Sequence, residues 1–297
     1  MMKKYLLYII LGTLLMSCQI KQKTYQLPHI PEEIKQPSER AQYLAKHYWD
    51  LYNLSSIDSI ANHDTEKAWV NYCYVLNKIP LAEGRVLVKE FFDTKNMSQK
   101  NYLYLVGLAE KYLYYQDSPT HNEELYISTL ESVVNNPSLK EIEKVRYKYL
   151  LENAKRNRVG TKAINFKYTT KSSKTGNLYD IKAKYTLLFF NNPGCQECQR
   201  LALSIKSSTI INDLKSQNEL IILAFHPDND IEEWKMHLKE FPSQWLVGYD
   251  AKQTLLRNEV YDLSFVPTLY LLDENKEVIL KNVSLNEIEQ WLNAHSK

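Results

Sequence analysis

The spacing of apolar residues changes character near residue 160. Upstream, Ala41, Leu44, Ala45, Tyr48, Leu51 and Tyr52 recur at i, i+3, i+4 and i+7, the signature of one buried helical face. Pro37-Ser38 opens that stretch, with Ser38 as the expected N-cap. Trp69, Tyr72, Cys73 and Leu76 share a face of a second helix. A third helix is predicted over Glu83 to Phe92 and a fourth over Ser98 to Gln116. Asn122 is placed to cap a fifth, whose Tyr126, Leu130, Val133 and Val134 fall together. Ser138 and Glu141 have capping-box spacing ahead of Ile142, Val145, Tyr149 and Leu150. The expectation for 37–158 is an all-α domain without a fixed repeat.

Downstream the period shortens. Ile164, Phe166 and Tyr168 alternate, Gly176-Asn177 signals a turn, and Leu178, Tyr179 and Ile181 follow, which predicts a hairpin. Thr186 to Phe190 and Leu220 to Phe225 are short unbroken apolar runs, as expected of strands buried on both faces. Helices are predicted around Leu201 and Ile205, over Ile231 to Phe241, over Ala251 to Val260 and over Leu285 to Ala294. A second hairpin joins Thr268–Leu272 to Val278–Leu280. The predicted order is β-β-β-α-β-α-α-β-β-α, an α/β domain over 159–297 with a mixed sheet flanked by helices.

The N-terminus adds an address. Lys3 and Lys4 precede an apolar core from Tyr5 to Leu15 and then Met16-Ser17-Cys18. That is the form of a signal peptide, residues 1–17, too short to span a bilayer. Leu15-Met16-Ser17-Cys18 resembles the lipobox of bacterial lipoproteins, which implies a lipid on Cys18. Residues 18–36, polar and carrying Pro28 and Pro31, then form a tethered linker. The expected location is the bacterial cell envelope, lipid-anchored and facing the periplasm, where disulfides persist. The chain holds 37 basic and 35 acidic residues. Loss of Lys3 and Lys4 with the signal makes the mature body formally neutral, which excludes a nucleic-acid footprint.

Chemistry concentrates at Cys195-Gln196-Glu197-Cys198, which follows the Thr186 to Phe190 strand and the turn Asn191-Asn192-Pro193-Gly194. A C-x-x-C that opens a helix has its first thiol beside free N–H groups and the positive end of the helix dipole, which favour a thiolate. Cys195 is the expected nucleophile and Cys198 the resolving thiol. Cys73, on an apolar helical face, reads as a buried free thiol. No second C-x-x-C or histidine pair completes a metal site, so neither a metal nor a cofactor is expected. The tyrosine-rich stretch Tyr102 to Tyr115 reads as aromatic core with hydroxyls reaching the surface, and the helical half is assigned no chemistry.

With Val266-Pro267-Thr268 opening the strand that ends Leu271-Leu272-Asp273, this order resembles the thioredoxin fold. It resembles more closely the TlpA/ResA-type membrane-tethered thiol–disulfide oxidoreductases. The whole mature chain also resembles exported lipoproteins that join a helical domain of unknown function to a thioredoxin-like domain. The resemblance implies a cis peptide at Val266–Pro267 beside the cysteines, where Val266 and Pro267 bind an extended substrate chain. It implies protein or peptide thiols and disulfides as partners, a membrane redox donor, and reductase-like rather than oxidising chemistry. Three positions depart from it: Gly194 replaces the tryptophan usual before the first cysteine, and Phe189 and Leu201 stand where related enzymes carry a buried acid. Glu197, inside the motif, and His226, at the end of the Leu220 strand, are the remaining groups placed to tune the thiols. An alternative of another class stays open: a redox-inactive or redox-regulated thioredoxin-fold binding protein whose helical half recruits a partner.

Overall fold

The structure is a computed structural model, which describes residues 26–52, 54, 63–94, 97–228 and 230–296. The predicted signal segment 1–17, Cys18 and the first part of the predicted linker lie outside the described residues. The chain divides into two compact units, one ending at Ile79 and one running from Pro80 to Lys297.

In the first unit, α1 (Pro37–His47) and α2 (His63–Leu76) enclose an aromatic cluster. Tyr48, Trp49, Trp69, Tyr72 and Cys73 are all buried. The Tyr48 hydroxyl donates to the Ala68 carbonyl at 3.0 Å, and Trp49 meets Tyr72 edge-on at 5.4 Å. The face predicted from Trp69, Tyr72, Cys73 and Leu76 is the buried one. Two details differ. Pro37 occupies the first turn and Gln36 the cap position, without a side-chain bond; Ser38 lies inside the helix because the proline ring suits N1. Leu51 is 65% exposed, since α1 has ended at His47.

The second unit begins with α3 (Leu81–Thr94), α4 (Gln99–Ala109), α5 (Glu123–Asn135) and α6 (Glu141–Lys155). α5 is buried on nearly every side, Leu125, Tyr126, Ile127, Leu130 and Val133 included, and so forms the centre of the helical part. Asn122 caps it as predicted, accepting from the Leu125 N–H at 3.2 Å. α4 does not continue to Gln116 as one α-helix. After Ala109 it widens into a π-turn, Glu110–Tyr114. The start of α6 also differs: Lys140 is the cap residue and its N–H donates to Glu143 at 2.8 Å, so the Ser138–Glu141 spacing forms no capping box. Ile142, Val145 and Tyr149 are 78%, 58% and 47% exposed; the face they share is not the one that packs.

The sheet has seven strands: β1 (Lys167–Thr170), β2 (Thr175–Asn177), β3 (Tyr185–Phe190), β4 (Leu220–His226), β5 (Leu246–Tyr249), β6 (Thr268–Leu272) and β7 (Val278–Lys281), in spatial order β2-β1-β5-β4-β3-β6-β7. β3 runs parallel to β4 and β4 to β5, while β6 pairs antiparallel with β3 and with β7. Leu187 and Phe189 point into one core with Ile205, Ile211, Ile288 and Leu292. Leu188 and Phe190 point into the other with Phe166, Phe225, Tyr261 and Tyr270. This two-faced burial explains the unbroken apolar runs. α7 (Gln196–Ser207), α8 (Thr209–Ser216) and α11 (Leu285–His295) belong to the first core; α9 (Ile231–His237) precedes β5 and α10 (Thr254–Arg257) precedes β6.

Four elements of this domain differ from the sequence pattern. Neither α8, whose Ile211 and Leu214 keep helical spacing over only eight residues, nor β5 is among the predicted elements, and α10 is a single turn rather than a helix over Ala251 to Val260. The β1–β2 turn falls at Lys171–Lys174, where the Thr170 N–H donates to the Lys174 carbonyl at 2.9 Å. Gly176 is instead a strand residue opposite Tyr168. A Cβ there would lie 2.5 Å from the Tyr168 ring, so the glycine makes room for an aromatic side chain.

The sequence pattern changes from helix to sheet between Arg158 and Val159, yet packing joins residues on both sides of that point. Lys281 of β7 reaches the Glu123 carboxylate at 2.9 Å and the carbonyls of Ala154 and Arg156 at 2.9 and 3.0 Å. The Lys281 side chain is 1% exposed. Burial outweighs the attraction of Lys281 and pushes the Glu123 carboxyl up to about 7. Removing one member of such a buried set leaves the rest unpartnered. Lys281→Ala is expected to lower stability by about 3–5 kcal/mol, read as a fall in the denaturant midpoint.

Candidate functional site: the C-x-x-C turn and its groove

β3 delivers the chain to a braced turn. The Asn191 N–H donates to the Phe225 carbonyl at 3.0 Å, and its side-chain amide donates to Phe189 and Phe225 carbonyls at 3.0 and 3.3 Å. Gly194 then turns the backbone with φ +69°, a left-handed conformation that a β-carbon disfavours by roughly 1–2 kcal/mol. This accounts for a glycine at the position before the first cysteine.

Cys195 is the N-cap of α7, and its Sγ accepts the Cys198 backbone N–H at 3.1 Å. Cys195 is half-buried and Cys198 is 3% exposed. The two sulfurs are bonded, with Cα atoms 5.2 Å apart. When the bond is reduced, the first sulfur keeps an N–H donor and sits on the axis of a twelve-residue helix, two influences that favour its thiolate. Glu197 forms an ion pair with Arg200 in which both side chains are about two-thirds exposed. Its charge is therefore compensated locally, which weakens the opposition to the Cys195 thiolate expected from the sequence.

Val266–Pro267 is cis. The pairing of Phe190 with Thr268 places Pro267 level with the start of the cysteine turn, and Val266 packs on the same core cluster as Cys195 and Cys198. His226 is buried at the end of β4, its Nδ1 3.3 Å from the Asn191 carbonyl. Burial lowers its pKa. It braces the turn that carries the cysteines.

The residues missed in the sequence lie on either side of this turn. The π-turn sends the Tyr114 hydroxyl to Asp262 at 2.7 Å, and the Tyr114 and Tyr115 rings each approach Phe265 to 5.6 Å. Gln116 donates to the Thr268 hydroxyl at 3.4 Å. The helical part thereby supports the loop that ends in Pro267. Between them opens a groove of about 1230 Å³ whose walls include Tyr112, Tyr115, Arg200, Leu201, Val266 and Pro267. The tyrosines read as core thus divide: Tyr102 and Tyr114 are buried, while Tyr112 and Tyr115 face the groove. On the far side of α7, His237 joins Glu233, Glu240 and Gln199 near Cys198. The Glu–His–Glu spacing is visible in the sequence, but its proximity to the cysteines arises only from the fold.

This fold and site define a thioredoxin-like protein. A thioredoxin-like family matches residues 183–278, and a domain of unknown function (DUF5106) matches 13–157. A crystallised thioredoxin-like protein from Bacteroides caccae is 45% identical, with TM-score 0.89, over 92% of this chain and 99% of that one. The C-terminal domain of an uncharacterized protein from Bacteroides fragilis is also 45% identical, over 46% of this chain and 98% of that one, with TM-score 0.46. A domain of a possible thiol-disulfide isomerase from Cytophaga hutchinsonii is 27% identical over 47% and 93%, with TM-score 0.40. No curated protein matches the chain. The chain belongs to the thioredoxin-like proteins in which a domain of unknown function precedes the thioredoxin-like domain.

The unequal burial of the thiols has a direct readout. In the reduced protein, alkylation is expected to modify Cys195 at least about tenfold faster than Cys198 or Cys73, because only Cys195 combines access with the helix N-terminus. Burial pushes the Cys73 thiol far up. Mass spectrometry of timed samples checks this; equal rates at the three sites would remove the case for a poised nucleophile.

Proposed function

We propose that this chain is a membrane-tethered, periplasm-facing thiol–disulfide oxidoreductase that works as a reductase on extended polypeptides. The observation that carries the reading is the bond from the Cys198 N–H to Cys195 Sγ at the start of α7, with the second cysteine buried beneath. Reduced Cys195 attacks a substrate disulfide and Cys198 resolves the mixed disulfide, so that two protein thiols become one disulfide while the substrate gains two thiols. A dithiol donor, reached through the membrane, returns the electrons. The groove beside Pro267 supports a peptide substrate. Its aromatic and apolar walls suit a segment bearing large side chains, while Lys111 and Arg200 balance Asp117 and Glu197 so that no net charge is selected, and the Val266 backbone is placed to pair with it.

With dithiothreitol as donor, the full protein is expected to reduce insulin disulfides. Cys195→Ser should abolish turnover, and Cys198→Ser should accumulate mixed disulfides on Cys195. A wild-type protein without turnover, and a Cys195→Ser strain without any change in envelope thiols, would favour the binding-protein reading instead.

The tether rests on residues 3–18. Among the described residues no helix is long and apolar enough to cross a membrane, and a lipid on Cys18 supplies the attachment in this reading. Cells fed a labelled fatty acid should label the wild-type protein and not Cys18→Ser, which should leave the membrane fraction. Label retained on Cys18→Ser would overturn the anchor.

A further inference from the structure

Resolution of a mixed disulfide has a proton requirement. The Cys198 thiol must ionise before its sulfur can attack Cys195, yet burial opposes ionisation. Phe189 and Leu201 offer no acid or base. The opposite side of α7 does.

His237, the last residue of α9, has Nδ1 2.5 Å from Glu240 Oε1 and Nε2 3.1 Å from Glu233 Oε1. Glu240 also accepts from Gln199, the neighbour of Cys198, at 3.1 Å. His237 and Glu240 line a cavity of about 10 Å³ together with Cys198 and Gln199, room for about one water molecule. A β-carbon on Gly194 would stand 3.7 Å from Glu233 Oε1 and 3.9 Å from His237 Nε2, so the histidine–glutamate pair lies beside the cysteine turn.

We propose that His237, braced between Glu233 and Glu240, carries the proton of Cys198 during resolution, and so acts through a water rather than by touching the sulfur. The assignment rests on the oxidoreductase reading above. Cys195 Sγ attacks the substrate disulfide and one substrate sulfur leaves as a thiolate. The Cys198 proton passes through the cavity water to the neutral imidazole. The ring then holds an N–H toward each glutamate, and the two carboxylates stabilise the cation. Cys198 Sγ attacks Cys195 Sγ, and the second substrate sulfur leaves with the bonding electrons and takes a proton from solvent.

The groups facing the ring are Glu233 and Glu240 on its own segment, Cys198 and uncharged Gln199 from α7, and uncharged Asn191 and Asn192 of the turn. Glu240, then Glu233, raise the imidazole above its ordinary 6.5. The neutral form that accepts the proton is therefore lost as pH falls through that raised value, and resolution slows on acidification.

Dithiobis-nitrobenzoate separates the steps. Reduced full-length protein releases one coloured thiolate when Cys195 attacks and a second when Cys198 resolves; buried Cys73 is expected to stay silent. In wild type the second release should rise with pH to a plateau. His237→Gln should slow it by on the order of 100-fold near neutrality, remove the plateau, and leave the first release within about threefold. Glu240→Gln should move the inflection to lower pH. A second release in His237→Gln with the wild-type rate and profile overturns the assignment and leaves the oxidoreductase reading standing. No second release from wild type overturns both. Should His237→Gln fail to fold by circular dichroism, an unmoved inflection in Glu240→Gln overturns it.

Discussion

β3 is bonded on both edges and buried on both faces, and the placement of the cysteine turn and of Pro267 follows from that. Its partners are β4 and β6, from Tyr185↔Leu220 to Phe190↔Phe225 on one side and from Thr186↔Leu272 to Phe190↔Thr268 on the other. A slip of one residue would exchange the two core faces, moving Leu187 and Phe189 into the space of Leu188 and Phe190. Register is thus set by packing on two sides at once. The turn after Phe190 and the proline before Thr268 are held level by the same ladder, with no direct bond between them required.

The helical part of the second unit gives this ladder a second wall. Left alone, the loop from Asp262 to Pro267 would have one side in solvent. Tyr114, Tyr115 and Gln116 meet Asp262, Phe265 and Thr268, and the π-turn supplies the rotation that brings them there, since an extra residue per turn shifts the faces of a helix. Lys281 and its carbonyl partners secure the attachment from β7. The helical part of the second unit, silent in sequence, has a part in shaping the site.

Legibility in the sequence followed the range of the interactions. Cys195, Cys198 and Pro267 sit at local signals, a strand followed by a turn and a proline opening a strand, and were readable in place. The core strands were readable because burial on both faces leaves unbroken apolar runs. β5 was hidden by its shortness and by Gly248, which yields space to the Tyr168 ring. The packed face of α6 is not legible, because Ile142, Val145 and Tyr149 keep helical spacing without burial. Tyr112, Tyr115 and His237 gain their meaning from residues some thirty-five to more than one hundred and fifty positions away in the chain, which periodicity does not see.

Cys73 has a consequence of a different kind. It is a fully buried thiol in a unit that contains neither redox cysteine, and burial suppresses its thiolate. In an oxidising surrounding such a sulfur is inert while the aromatic cluster around it stays closed, and it becomes chemically visible each time that cluster opens. The chain thus carries a built-in gauge of local unfolding around α2, separate from the sulfurs near α7. The same seclusion limits scrambling: while the cluster stays closed Cys73 is withdrawn, and Cys195 and Cys198, three residues apart, are left to oxidise with each other.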